Sequence, residues 1–167
     1  MTEIVLRLHP GDGTVDGAEA RLAAPGRDVV TEAAGIERIA DLVSGDTLFI
    51  LGHGSSSTLG GYKPAELAKL LADNELKSGV SIQLVACNSG SGRAPYSLEL
   101  KVSLVSRKIV PASIQGGTNY MQVKSDGSLS IADYNWGTNT WSGEIQDDSQ
   151  QVMTPWGPQR KLVRRQV

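Results

Sequence analysis

A histidine and a cysteine, two residue types that can act together in acyl transfer, each follow an apolar run of this sequence. His53 comes two positions after the run at 47–51, and Cys87 comes directly after the run at 80–86. A cysteine nucleophile needs thiolate character and a base close by, which a histidine supplies. The chain contains one cysteine, so Cys87 and His53 are the candidate nucleophile and base of a thiol hydrolase.

The backbone next to these two residues offers donors for the oxyanion that forms on an attacked carbonyl. Gly54 has no side chain to block approach, so its N–H could point at that oxygen, and the N–H of Cys87 could be the second donor. Residues 88–90 are Asn, Ser and Gly, and their small side chains leave the sulfur open to a substrate. Two side chains and the backbone therefore suffice for attack on a peptide carbonyl.

The apolar runs before His53 and Cys87 are typical of strands that are buried on both faces of a parallel sheet. Residues 63–76, between the two runs, carry leucines on one face and predict a helix. A strand–helix–strand order nearly always forms a right-handed crossover between parallel strands. Neighbouring strands lie about 4.8 Å apart. We therefore expect both residues at one edge of the sheet, the edge where α/β proteins bind ligands.

Periodicity along the rest of the chain predicts an α/β fold with a mostly parallel sheet, in a single domain over 1–167. The further expected elements are a strand at 4–8, a loop over 10–27, a helix over 36–43, a helix over 97–108, a strand at 109–114, and a hairpin with strands at 119–123 and 128–131. Residues 97–108 also fit a half-buried strand, but the strand that follows them needs a crossover before it. The remainder is expected to be irregular and to end in a basic tail at 155–167.

Composition and charge exclude several classes of function. The 16 basic and 18 acidic side chains nearly balance, so no large electrostatic field favours nucleic acid. No apolar run approaches the roughly 20 residues that a membrane span needs. One cysteine and two histidines cannot form a cysteine-based zinc cluster or an internal disulfide. A lone cysteine suits a reducing compartment such as the cytoplasm.

Two short motifs resemble the signature of the caspase-like superfamily of cysteine peptidases (clan CD). They are residues 51–54, Leu-Gly-His-Gly, and residues 84–88, Leu-Val-Ala-Cys-Asn. Within that superfamily the sequence is most similar to the self-cleaving protease domains of large bacterial toxins. Residues 59–68 resemble the stretch that follows the histidine in that group. The likeness covers roughly residues 45 to 132.

The resemblance implies a fold and a set of roles. The fold would be a three-layer α/β/α sandwich of the caspase-hemoglobinase-like type, with the hairpin at about 118–133 as a β-flap. His53 would be the general base or orienting residue, Cys87 the nucleophile, and Gly54 an oxyanion donor. The implied function is a cysteine endopeptidase that needs no metal or redox cofactor. It would cleave a protein or peptide, its own parent chain included, in the cytoplasm or after delivery by a bacterium into a target cell.

The toxin relatives are activated by inositol hexakisphosphate, which many Lys and Arg side chains bind together. An inositol polyphosphate activator is accordingly an expectation from the resemblance. A polyanion site needs several cations that converge on one pocket, because a single exposed contact contributes little. The basic side chains after Cys87 are few and scattered: Lys101, Arg107, Lys108, Lys124, Arg160, Lys161, Arg164 and Arg165.

Substrate preference can be read from strand alternation. Val85 lies two residues before Cys87 and therefore faces the same side of the sheet. Several relatives have a polar or charged residue there, so an apolar Val85 favours an uncharged, leucine-like residue before the cleaved bond. Gln115, Asp12 and Arg7 are the other candidate substrate-binding residues. Asp12 would favour a basic substrate residue, and Arg7 an acidic one.

Two other functions are compatible with the same residues. One is a catalytically silent module of this fold that binds a protein, in which Cys87 and His53 are ordinary structural residues, as isolated residues of these types often are. The other is a different thiol hydrolase or an acyltransferase on an α/β scaffold. The reactivity of the thiol separates the first from a peptidase, and a peptide library separates the second.

Overall fold

The structure is a computed structural model. It describes residues 1–8, 13–55, 57–86, 95–116, 121–135, 140–145, 153–154, 157–158 and 165–166. Two predicted site residues, Cys87 and Asp12, lie outside the described residues. Most of the predicted basic tail lies outside them as well.

Five parallel strands form the central sheet among the residues that the structure describes. They are β1 (Glu3–Arg7), β2 (Asp28–Thr31), β3 (Thr47–Leu51), β4 (Ser81–Val85) and β5 (Ser113–Gly116). Their order across the sheet is β5-β4-β3-β1-β2, and each neighbouring pair is parallel. The predicted α/β class with a mostly parallel sheet is therefore confirmed.

In the described part of the chain, three α-helices and one 3-10 helix flank this sheet. They are α1 (Gly13–Ala23), the 3-10 helix Ile36–Asp41, α2 (Pro64–Asp73) and α3 (Tyr96–Ser106). Helix α2 begins at a proline, and the Glu66 side chain accepts the N–H of Lys63 at 2.9 Å, so its first turn is capped. The predicted helices at 63–76 and 97–108 are confirmed, and the alternative strand at 97–108 is wrong.

The loop expected over 10–27 is wrong, because helix α1 occupies most of it. Two glycines, Gly13 and Gly17, weaken its intrinsic helix propensity. The helix is stabilised instead by contact with the sheet, where Val15 and Leu22 are buried in a cluster that includes Val5. Tertiary packing of this kind commonly outweighs local propensity.

Two other elements differ from the expected ones in type or position. Residues 36–41 form a 3-10 helix rather than a longer α-helix, and Ile39 is its buried residue. The strand expected at 109–114 begins only at Ser113. Pro111 has no N–H to donate to a neighbouring strand, so the ladder starts after it.

The two faces of the sheet carry separate hydrophobic clusters. One cluster includes Ile50, Leu84 and Ile114 of the strands together with leucines of α2 and α3. The other includes Phe49 and Val85 together with residues of α1 and of the later hairpin. Helices therefore lie on both faces, an arrangement that is compatible with a three-layer sandwich.

An antiparallel sheet follows the parallel one along the chain. Its strands are β6 (Met121–Val123), β7 (Leu129–Asn135) and β8 (Thr140–Ile145), in the order β6-β7-β8. The predicted hairpin is confirmed, because β6 and β7 pair across the turn. Strand β8 corrects the expectation that this part is irregular. Short strands follow at β9 (Met153–Thr154), β10 (Gly157–Pro158) and β11 (Arg165–Gln166), and β11 pairs antiparallel with β5.

Asp46 fastens the amino terminus to the start of β3. Its carboxylate accepts the N–H of Thr2 at 2.7 Å and the N–H of Val43 at 2.9 Å. These two hydrogen bonds lower the pKa of Asp46 from its ordinary value. The carboxylate is thus favoured in the folded chain. Its contribution to stability is present above the unfolded-state pKa, about 3.9, and is lost as the pH falls through the lower folded-state pKa.

We expect Asp46→Asn to lower the midpoint of thermal unfolding at pH 7. The amide NH₂ group would face one of the two N–H donors, so one hydrogen bond becomes a donor–donor contact. The difference from the wild-type chain should shrink as the pH falls below about 4. Thermal melts between pH 2.5 and 7 measure this, and a difference that does not depend on pH would contradict it.

No helix among the described residues has the length and apolar character needed to cross a membrane.

Candidate functional site

The strands that precede His53 and Cys87 are direct neighbours in the sheet. β3 and β4 pair in parallel, and Leu51 is the register partner of Val85. The N–H of Gly52 also donates to the carbonyl of Val85 at 3.3 Å, which extends the ladder one residue further. His53 and Cys87 each follow their strand's partner residue by two positions. The predicted adjacency of the two strands is confirmed, although Cys87 itself is not among the described residues.

The segment after His53 folds back on itself as a compact loop. The carbonyl of His53 accepts the N–H of Gly60 at 2.7 Å, and the N–H of Ser55 donates to the carbonyl of Thr58 at 2.8 Å. These two hydrogen bonds flank an antiparallel bridge between Gly54 and Leu59. The side chain of His53 is exposed at this edge. Its backbone is therefore held by the loop, and the residue is accessible to solvent.

The same hydrogen bonds bear on the predicted role of Gly54. In a bridge of this type the bonds are made by the residues on either side of the paired ones. The N–H groups involved here are those of Gly60 and Ser55, so the bridge does not use the N–H of Gly54. Gly54 is half-buried, and its role as an oxyanion donor stays a prediction.

Ser55 is engaged in shaping the loop. Its Oγ accepts the N–H of Ser57 at 3.2 Å and the N–H of Thr58 at 3.1 Å. This side-chain-to-backbone pattern stabilises a tight turn. Ser55 therefore has a structural role next to His53.

Gly60 holds the loop against the end of β1. Its φ is +57°, and a Cβ at this position would come closer to the Cβ of Leu8 than carbon atoms can approach. Leu8 itself is buried, and its N–H donates to the carbonyl of Leu51 at 2.8 Å. The loop that carries His53 thus rests on the sheet through a contact that only glycine permits.

We expect Gly60→Ala to lower the free energy of unfolding by about 2–4 kcal/mol, from the clash with Leu8 and the left-handed backbone conformation. Peptide cleavage should fall more than the folded fraction does, because the N–H of residue 60 positions the carbonyl of His53. Chemical denaturation and a cleavage assay on the same preparations measure the two effects.

Gly61→Ala is the matched control. Gly61 also has a positive φ, +85°, but a Cβ there would meet no atom within 4 Å. It should cost only about 1 kcal/mol and leave cleavage by the folded protein unchanged. Equal effects of the two substitutions on cleavage would rule out a special contact at Gly60.

Val85 is buried on the α1 face of the sheet, 4% exposed. Its cluster includes Leu51 of β3 and Val123 of β6. An apolar wall therefore lies directly before the position of Cys87. Two arginines contact members of the same cluster: Arg21 donates to the carbonyl of Val123 at 3.1 Å, and the guanidinium of Arg27 lies 4.3 Å from the centre of the Phe49 ring.

Arg7 does not present an unpaired charge at this edge. Its guanidinium contacts the carboxylate of Asp16 at 2.5 Å and also that of Glu19. The hydrogen bonds to Glu19 and then to Asp16 raise the pKa of Arg7. Two carboxylates thus balance its charge, which weakens the expectation that Arg7 binds an acidic substrate residue.

A cavity of about 620 Å³ lies beside Arg7, where β1 and β2 end. Its lining residues are Arg7, Leu8, Glu19, Thr31, Glu32, Ala33 and Tyr62. Burial, followed by a hydrogen bond with Glu32, raises the pKa of Tyr62 to about 12, so this phenol stays protonated at neutral pH. Because Tyr62 closes the loop that starts at His53, the cavity adjoins the candidate site on the β1 side.

Gln115 lies away from the edge where His53 is found. It is the register partner of Gln83, which pairs in turn with Phe49. Phe49 precedes His53 by four residues, roughly 13 Å along a strand. Gln115 instead lines a second cavity, of about 390 Å³, on the sheet face near the amino ends of β3, β4 and β5. The structure does not bring it together with His53.

The basic side chains proposed for an activator do not gather in one place among the described residues. Lys101 lies on α3, and Arg107 and Lys108 follow its end, so they belong to the face of the sheet that α3 covers. Lys124 follows β6, which packs on the opposite face. The basic residues from 160 onward are outside the described part of the chain, apart from the backbone of Arg165.

Sequence reasoning missed three residues around His53. Gly60 had a signal in the Gly-Gly pair at 60–61, which is typical of a turn. Leu8 looked like any other strand residue. Tyr96 is the first residue of α3, and its hydroxyl donates to the carbonyl of Tyr62 at 3.0 Å. No local pattern could have predicted that contact.

Comparison with known proteins does not assign the chain to a family. No family model matches the sequence, and no curated protein matches it significantly. Among the described residues, no group of three or more His, Cys, Asp or Glu could hold a metal ion. A function must therefore be argued from the geometry at the carboxyl ends of β3 and β4.

Proposed function

We propose that this protein is a caspase-like cysteine endopeptidase in which Cys87 is the nucleophile and His53 the base. The observation that carries the proposal is the pairing of Leu51 with Val85 in adjacent parallel strands. Because both catalytic candidates follow that pair by two residues, we expect them at equivalent points past the ends of the two strands. Neighbouring strands are about 4.8 Å apart, which is within reach of a thiol and an imidazole that share a substrate.

The chemistry follows from these roles. His53 takes the proton of the Cys87 thiol, and the thiolate attacks the carbonyl carbon of the peptide. The oxyanion accepts hydrogen bonds from the N–H groups of Gly54 and Cys87. The C–N bond then breaks, and the departing amine takes the proton from His53. Water, deprotonated by His53, hydrolyses the thioester and releases the new carboxyl end and the free thiol.

The proposal extends to the fold and the substrate. The flanked parallel sheet would be the three-layer sandwich of the caspase-like superfamily, and the β6–β7 hairpin would be its flap. Val85 in an apolar cluster and Arg7 between two carboxylates both favour an uncharged, leucine-like residue before the cleaved bond. The protein's own parent chain is the first substrate to test, in the cytoplasm or in a cell to which a bacterium delivers it.

The test is to map the new amino termini produced by the purified chain. The chain is incubated alone and with a peptide library, each with and without inositol hexakisphosphate, and the fragments are sequenced by mass spectrometry. We expect cleavage after a consistent residue, and no cleavage once iodoacetamide has blocked the thiol. The sole cysteine makes that block specific.

Two other outcomes would replace the proposal. Hydrolysis of simple thioesters without cleavage of any peptide would indicate a different thiol hydrolase or an acyltransferase. A thiol that reacts with iodoacetamide no faster in the folded chain than in urea would indicate a silent binding module.

A further inference from the structure

We propose that Tyr96 is a positioning residue that links the His53 loop to the segment carrying Cys87. The inference deepens the proposed function and rests on it. Tyr96 begins α3, and its hydroxyl donates to the carbonyl of Tyr62 at 3.0 Å. Tyr62 lies at the end of the loop that starts at His53. One part-buried hydrogen bond therefore connects the His53 loop to α3, the helix that follows Cys87 in the chain.

Burial restricts the motion of the Tyr96 side chain that donates this hydrogen bond. Tyr96 is fully buried, 0% exposed, in the cluster formed with α2 and the sheet. A hydroxyl buried in apolar surroundings is costly unless it is hydrogen-bonded, so the ring has one favourable orientation. Burial also raises the pKa of Tyr96, so the phenol is protonated and can donate at neutral pH.

The connection from Tyr62 to His53 is short. The carbonyl of Tyr62 also accepts the N–H of Leu59 at 2.9 Å. Leu59 pairs with Gly54, and the N–H of the next residue, Gly60, donates to the carbonyl of His53 at 2.7 Å. A shift of the Tyr62 carbonyl would thus be passed to the backbone of His53 through two hydrogen-bonded pairs.

The connection on the other side is the covalent chain. Cys87 directly follows Ala86, which is buried beside β4, and residues 88–95 join it to Tyr96. Pro95 is buried as well, and its carbonyl accepts the N–H groups of Leu98 and Glu99 at 3.0 and 3.1 Å. The described residues on either side of 87–94 are therefore buried, Ala86 before them and Pro95 and Tyr96 after them.

The hydroxyl is not required to pack the core. Helices α2 and α3 already pack through buried leucines, including Leu67, Leu71, Leu100 and Leu104. A phenylalanine at position 96 would fill the same space as the tyrosine ring. The Tyr96 hydroxyl therefore serves the connection to the loop, and removing the oxygen alone tests that role.

We expect Tyr96→Phe to lower kcat about tenfold with little change in KM, because small displacements of reacting groups slow chemistry more than binding. The rate of Cys87 alkylation by iodoacetamide at pH 7 should fall by a similar factor. Hydrogen exchange at the amide of Gly60 should accelerate more than exchange in β3 and β4. A merely structural role would accelerate exchange in all of these elements by the same factor.

Ser97→Ala is the matched control. The Oγ of Ser97, the next residue of α3, is buried and has no hydrogen-bond partner among the described residues. Its removal should leave kcat, alkylation and Gly60 exchange at wild-type values. Loss of an unsatisfied buried hydroxyl should stabilise the chain, so the double variant Tyr96→Phe/Ser97→Ala replaces Tyr96→Phe if the single variant does not fold. It should show the same kinetic defect.

Wild-type kcat, alkylation rate and Gly60 exchange in folded Tyr96→Phe would overturn the inference. A wild-type chain that cleaves no peptide would instead contradict the proposed function. The exchange measurement does not depend on cleavage and still decides whether Tyr96 holds the His53 loop, so the two failures can be told apart.

Discussion

Cys87→Ala should abolish peptide cleavage, with kcat/KM reduced roughly 10³-fold or more, while the chain stays folded. A methyl group cannot form the thioester, and loss of the nucleophile is among the most damaging changes in enzymes of this kind. The substitution removes one sulfur atom, so we expect the free energy of unfolding to change by only about 1 kcal/mol. Initial rates and thermal melts measure these effects.

Cys87→Ser is the companion variant. It replaces the thiol with a hydroxyl group of similar size. Because an alcohol is far less acidic than a thiol, the activity of Cys87→Ser should lie close to that of Cys87→Ala. Because the chain has one cysteine, neither variant should incorporate iodoacetamide. If Cys87→Ala cleaved within tenfold of the wild-type rate, the assignment of the nucleophile would be wrong.

His53→Ala should reduce kcat about 10³-fold, in the range expected for loss of a general acid–base. The imidazole is exposed at the edge of the sheet, while its backbone is held by Gly60. Truncation of the side chain should therefore leave the loop intact. Alkylation of Cys87 at pH 7 should slow as well, because the thiolate loses its neighbouring base.

Two measurements separate this role from a structural one. Because the site of the imidazole is open to solvent, added imidazole should restore part of the activity of His53→Ala and none of that of Cys87→Ala. His9→Ala changes the chain's other histidine and should behave as wild type. Loss of activity in His9→Ala with retention in His53→Ala would reverse the assignment.

The elements next to the dyad could be predicted because each one carries its own signal. Strand β3 is apolar from Leu48 to Leu51, and β4 is mostly apolar despite Ser81 and Gln83. Helix α2 has Pro64 at its first turn and leucines on one face. Helix α1 has no comparable signal. Its glycines lower its helix propensity, and its stability depends on the packing of Val15 and Leu22 against the sheet. A local pattern reveals an element only where the element's own residues account for its stability.

The positions and partners of the predicted substrate-binding residues could not be predicted from the sequence, because side-chain pairing depends on residues that are distant along the chain. In the sequence Arg7 is a candidate cation for a substrate, but in the structure it forms ion pairs with Asp16 and Glu19 of α1. Gln115 was expected near the site, but its register with Gln83 places it towards the amino ends of the strands, away from His53. Neither helix α1 nor that register can be read from the residues around positions 7 and 115.

The sequence alone determined which groups can react and where each leaves its strand, because side-chain chemistry and hydrophobic periodicity are properties of neighbouring residues. Only the tertiary structure decided that β3 and β4 are adjacent in the register Leu51 to Val85, that Gly60 rests on Leu8, and that Tyr96 reaches Tyr62. These contacts join residues from 34 to 52 positions apart in the chain. They form when the whole sheet and its helices pack together, so no local stretch of sequence encodes them.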